Sequence, residues 1–172
     1  MTDSLFTGKK FPEKVFNAEF DKVLVFEFDM IFRDIFAQKL SEFCLVNKIK
    51  LINIKSLDDH YPFNKQVHCT KIENDYIQLL KKTPVKEEFP KELTYYILLS
   101  DFIVYSNCSK FALYSNRSFE VGVLAFTNDL NVSMFKELIL GVTLDFAFKK
   151  MRFNMVSSNK IIKQFEGKEY FF

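Results

Sequence analysis

Three β-favouring runs follow one another with little between them: DFIVYSN (101–107), KFALYS (110–115) and FEVGVLAF (119–126). Short polar turns, Asn107-Cys108-Ser109 and Ser115-Asn116-Arg117-Ser118, join them, so the stretch reads as an antiparallel meander. An antiparallel sheet needs its apolar face covered, and the rest of the chain must supply the cover.

The flanking sequence offers helices for that purpose. KVLVFEF (22–28) is continuous and β-favouring, and MIFRDIFAQKLSEFCLV (30–46) places Ile31, Ile35, Phe36, Leu40 and Phe43 at helical spacing with Asp29 available as N-cap. A strand feeding a helix fits this pattern, and so does one long helix from Glu19. IKLINIK (49–55) alternates at period two and predicts a strand, with SLDDHYPFNKQ as the loop after it. Thr70 and Glu73 have capping-box spacing ahead of Ile72, Tyr76, Leu79 and Leu80, which predicts a helix over 71–82. Pro90 suits the first turn of a helix over 90–99. Phe135, Leu138, Ile139, Val142 and Phe146 predict a helix over 134–150, with Lys149, Lys150 and Arg152 at its C-terminal end, and IIKQF (161–165) reads as a last strand. The expected architecture is a single α/β (α+β) domain over 1–172: a mainly antiparallel sheet packed against several helices, all on one face.

Composition narrows the function classes. The chain is 48% hydrophobic with 22 Phe, enough for a core in 172 residues. Only 4 Gly are present, and neither GxGxxG nor GxxxxGK[ST] occurs, which argues against phosphate-cradling loops. A net charge of +2 is far from the basic excess of a phosphate-tracking surface, so direct nucleic-acid binding is not expected. Its rival would use Lys48, Lys50, Lys55 and the cations of 149–152. Three widely spaced cysteines, Cys44, Cys69 and Cys108, suit a reducing cytosol, and MTDSLFTGKKFPEK reads as neither signal peptide nor membrane span.

Candidate chemistry is sparse. Asp58, Asp59, His60, His68 and Cys69 are close in sequence, but their spacing matches no established metal site, and no cofactor is expected. Vicinal His68 is poorly placed to turn its ring toward the Cys69 sulfur. On the strand reading, Glu120 shares a face with Gly122, Leu124 and Phe126. It is either a buried general base with a raised pKa, working with His60 or His68 in a small hydrolase or transferase, or a carboxylate paired with Arg117 or Lys110 or sitting at the wet end of the sheet. Two acidic groups stand out: Glu13, Glu19, Asp21, Glu27, Asp29 and Asp34 within 13–34, and Glu87, Glu88 and Glu92. Such clusters are solvated faces or a means of steering a basic partner.

The stretch FIVYSNCSKFALYSNRSFEVGVLAF resembles strand chemistry of the immunity proteins that protect bacteria from contact-dependent growth-inhibition toxins. The resemblance covers about a seventh of the chain and is a pattern of strands. It implies a non-enzymatic cytoplasmic protein that binds the C-terminal toxic domain of its cognate effector, often a nuclease, and occludes the active site or substrate approach. On that reading the partner-binding candidates are Glu19, Asp21, Glu87 and Glu88, with Tyr95 and Tyr114 as aromatic anchors.

Overall fold

The computed structural model describes residues 5–17, 19–82, 94–139, 145 and 155–168. Six strands form one antiparallel sheet in the order β1-β6-β5-β4-β2-β3: β1 Lys22–Glu27, β2 Leu51–Ser56, β3 Asn64–His68, β4 Asp101–Ser106, β5 Phe111–Asn116 and β6 Val121–Phe126. The expected meander is its centre, with Val104 opposite Leu113 and Leu113 opposite Leu124. Lys22–Glu27 pairs with β6, which decides for a strand there and against a helix from Glu19. Among the described residues, helices α1 (Asp34–Val46), α2 (Ile72–Ile77), α3 (Tyr95–Leu98) and α4 (Met155–Gln164) join the sheet in an α+β domain.

Every residue of β4, β5 and β6 is buried, so both faces of the sheet are covered. On one face α1, α2 and the 3-10 turn Ser133–Phe135 close over Phe26, Phe102 and Phe111, with Phe36, Phe43 and Phe135 stacked among them. The other face carries Val25, Ile103, Tyr114 and Val123. It is covered by the N-terminal segment through Phe6, Phe11, Val15 and Phe16 and by α4 through Ile161 and Phe165. The expectation of helices on one face alone is therefore overturned.

The reason lies in IIKQF, which belongs to α4 for its first four residues and is not a strand. Ile161 and Phe165, the residue just past the helix end, are four apart, so the line of that helical face carries both to the sheet, where they are 0% and 4% exposed.

Other local readings shift as well. The helix expected from residue 30 begins at Asp34, because Phe28–Phe32 forms a 3-10 turn; Asp29 lies in that turn and caps nothing, and the extended residue before α1 is Arg33. This tight turn lays Ile31 across β6 at Gly122, where a Cβ would come within 2.1 Å of Ile31 Cδ1. Glycine suits this close approach, since an added Cβ would force the fully buried Ile31 side chain to shift. Ile35, expected on the buried stripe, is 40% exposed. The supposed loop after β2 contains edge strand β3, in which Val67 is the buried residue. Its alternation is too polar to register as a strand until pairing with β2 supplies the hydrogen bonds.

The Thr70–Glu73 capping box does not form. His68 Nδ1 accepts from the Thr70 N–H at 3.4 Å, Cys69–Lys71 is a 3-10 turn, and α2 passes into a π-helical turn over Gln78–Lys82. Of the helix expected over 90–99, Tyr95–Leu98 is helical, and 83–93 lie outside the described residues. The helix expected over 134–150 meets a 3-10 turn at its start, and most of its length also lies outside them.

Candidate functional site

The densest polar cluster sits where β4 begins and β5 ends. Register places Asp101 directly opposite Asn116, and Tyr114, two residues earlier on β5, projects from the same face. Asp101 Oδ1 accepts from the Tyr114 hydroxyl and from Asn116 Nδ2, each at 2.6 Å, and Lys10 Nζ lies 3.5 Å from Oδ2. Asp101 is only 4% exposed, so two donors and a cation replace its lost hydration. The Tyr114 hydroxyl in turn accepts the Phe11 N–H at 3.1 Å, and Asn116 Oδ1 accepts the Phe119 N–H at 2.8 Å. One carboxylate thereby ties the N-terminal segment and the β5–β6 turn to the sheet. Burial, then the Asp101 charge and its hydrogen bond, push the Tyr114 hydroxyl far above its ordinary range.

A second tie is adjacent. Ser100 Oγ donates to Asp58 Oδ2 and the His60 N–H to Asp58 Oδ1, both at 3.0 Å. Burial alone would raise the Asp58 pKa, but these hydrogen bonds and the charges of Lys10 and His60 outweigh it and hold the carboxyl below its usual range. Arg117 donates through Nε to the Leu99 carbonyl at 3.0 Å and through a terminal nitrogen to the Tyr96 carbonyl. Its guanidinium lies 4.8 Å from the centre of the Phe28 ring.

The sequence candidates fall in several places. Tyr114 is fully buried with its hydroxyl engaged, which removes it as a surface anchor. Glu19 and Asp21 are exposed just before β1. Asp21 Oδ2 accepts the Asn128 N–H at 2.9 Å, while Glu19 shares the wall of a small cleft, about 130 Å³, with Lys14 and Lys168. Glu87, Glu88 and the side chain of Tyr95 lie outside the described residues.

Glu120 is not on β6: it is exposed in the turn before it, with a left-handed backbone (φ 49°) held by its N–H to the Arg117 carbonyl. Arg117 and Lys110, its proposed partners, are directed elsewhere, Arg117 to carbonyls and Lys110 to Asp129. Of its two readings as a strand carboxylate, burial as a general base fails on exposure; a position at the wet end of the sheet describes it.

His60 lies in the β2–β3 loop and His68 at the end of edge strand β3. His68 Nδ1 is 3.0 Å from Thr70 Oγ1 and 3.9 Å from Cys69 Sγ, so the ring does come near the sulfur, at a long distance and with Cys69 buried. Among the described residues no three His, Cys, Asp or Glu side chains gather to hold a metal ion. No described helix is long and apolar enough to cross a membrane.

Sequence reasoning missed Asp101, Lys10 and the Asp58–Ser100 pair. A signal for the first was present: once the hairpin length is counted, an acid at the start of DFIVYSN faces Asn116 across an otherwise apolar pair of strands. No family model, curated protein or solved structure matches the chain.

Proposed function

We propose that this chain is an immunity-type inhibitor, a cytoplasmic protein that binds a cognate toxin domain with nuclease activity and blocks its active site or the approach of substrate. The observation that carries this reading is a division among the carboxylates. Asp58 and Asp101, half-buried and buried, are drawn into ties between segments, whereas Glu13, Glu19, Asp21, Glu27, Asp29 and Asp34 are all exposed, even where Asp21 accepts the Asn128 N–H and Glu13 and Asp34 pair with Lys160 and Lys81. The same 13–34 segment holds only Lys14, Lys22 and Arg33 as cations, and the chain as a whole carries +2. A nuclease must present cations to hold phosphates, so an inhibitor gains most from carboxylates set over that surface, where close charge pairs contribute about 1.5–7 kcal/mol. The strand resemblance described above points the same way, and the three free cysteines suit a reducing compartment.

The test is purification from the native cell with whatever co-purifies, followed by a nuclease assay of the partner with and without this chain. A stoichiometric partner whose nuclease activity the chain suppresses supports the reading. Charge reversal at Glu19 and Asp21 together with Glu87 and Glu88 should slow association and make it less salt-sensitive. Turnover of a small molecule with no protein partner would sink the reading.

A further inference from the structure

Helix α1 buries Phe36, Ala37, Leu40, Phe43 and Cys44 against the sheet, yet its outer stripe is not the polar surface that such a helix ordinarily shows. Ile35, Leu45 and Val46 are 40%, 54% and 51% exposed, and with Gln38 and Glu42 between them they follow the i, i+3, i+7, i+10, i+11 spacing of one helical face. Two hollows of about 490 Å³ each lie along this stripe and share Gln38 and Glu73, so they form one groove between α1 and the start of α2.

The groove has a sign. Its walls carry Asp34, Glu42, Glu73 and Asp75 against Lys39, in a chain whose net charge is positive. Lys39 is taken by Glu42 at 3.0 Å, and Lys81 approaches Asp34 at 3.8 Å; among the described residues Glu73 and Asp75 have no ion-pair partner. The exposed apolar side chains of α1 and the carboxylates beside them together suit an occupant with apolar residues on one side and cations next to them.

Resting on the reading of this chain as an inhibitor of a cationic protein, we propose that the α1–α2 groove is a docking site additional to the Glu19 and Asp21 carboxylates and takes a basic amphipathic helix of the partner. The stripe from Ile35 to Val46 is about 17 Å long at 1.5 Å per residue, which matches about three turns of a partner helix. A second copy of this chain would bring Glu42 and Glu73 against their own kind, and an anionic membrane surface would meet the same carboxylates; both are disfavoured by charge.

The experiment uses a synthetic helix of about four turns with Leu at i, i+3, i+4 and i+7 and Lys elsewhere, and a matched peptide with Glu in place of Lys. Binding is followed by fluorescence anisotropy and mapped by amide shift changes in the full chain. The Lys peptide should bind, the Glu peptide should not, and the shifts should lie on α1 and the first turn of α2. Glu73→Lys with Asp75→Lys should weaken binding about tenfold or more, Leu45→Ser should weaken it, and Glu19→Lys with Asp21→Lys should leave it unchanged. Glu73, Leu45, Glu19 and Asp21 are exposed and Asp75 is half-buried, and an unaltered circular dichroism spectrum certifies the fold. Equal binding of both peptides, shifts elsewhere, concentration-dependent self-association lost in Leu45→Ser, or retention on anionic vesicles would each overturn the proposal. In the native co-purification, capture that survives the Glu73/Asp75 variant but not the Glu19/Asp21 variant overturns the groove and leaves the inhibitor reading standing. Peptide binding at the groove with no toxin partner does the reverse.

Discussion

The two faces of the sheet are closed by different means. On the α1–α2 face the cover is regular helix and tight helical turn, and the interior is aromatic contact, as in Phe26 edge-on to Phe36 and Phe43 edge-on to Phe111. On the opposite face much of the cover is irregular chain, and polar ties recur: Phe11 N–H to Tyr114, Asn17 Nδ2 to the Phe6 carbonyl at 2.9 Å, and Gln164 Nε2 to the Pro12 carbonyl at 2.9 Å. A helix satisfies its own backbone, so apolar side chains can complete the seal. Irregular chain brings amides and carbonyls that need partners, so the face it covers must carry buried polar groups. Asp101, Tyr114 and Asn116 answer that need.

The contrast can be broken from either side. Phe36→Ala on the helical face empties a fully buried ring site among Phe26, Tyr76 and Phe135, and should cost about 3–5 kcal/mol in urea unfolding. A loss under about 1 kcal/mol would mean that this face is not sealed by ring packing.

Asp101→Ala on the opposite face should cost about 2–3 kcal/mol, because Tyr114 loses its acceptor inside the protein and Asn116 Nδ2 keeps only the Tyr114 hydroxyl at 3.5 Å. It should also speed hydrogen exchange at the Phe11 amide, while Asp101→Asn, which keeps an acceptor oxygen, does less of both. Equal exchange in all three proteins would show that the N-terminal segment is held by its apolar side chains alone.

Gly122→Ala tests the point where the 3-10 turn meets the sheet, and overpacking there should cost about 1–3 kcal/mol. Ile31→Val removes the clashing Cδ1, so the double variant should recover most of the loss; a purely additive result would place the strain elsewhere.

The smallest effect appears only in alkali. Tyr76 on one face is raised well above its ordinary value of 10.0 by burial, and Tyr114 on the other is raised by burial and by Asp101. A raised folded pKa means that this contribution is complete below about pH 10 and is lost as pH climbs past it, since the unfolded chain releases protons that the folded chain retains. Absorbance of tyrosinate from two of the seven tyrosines should therefore emerge together with unfolding. Titration of Tyr114 ahead of unfolding would mean that its Asp101 tie opens on its own.

Much of the fold was written in local patterns. Apolar runs with polar turns determine the central meander, and the stripe of Phe36, Leu40 and Phe43 determines α1, because period-two and helical burial are properties of neighbouring residues. The exposed state of the 13–34 carboxylates follows equally directly, since a charge stays in water unless enough partners replace its hydration. What covers a face is different in kind. Whether IIKQF is strand or helix depends on whether Ile161 and Phe165 find a sheet edge or a sheet face, and Asn64–His68 becomes a strand only beside β2. Tyr114 reads as an exposed anchor or a buried tie according to whether the N-terminal segment lies over it, and that contact spans more than a hundred residues. Local periodicity records how often a side chain is buried. The partner that buries it is chosen by packing between distant segments, which is where tertiary structure decided the second face of this sheet and with it the site at Asp101.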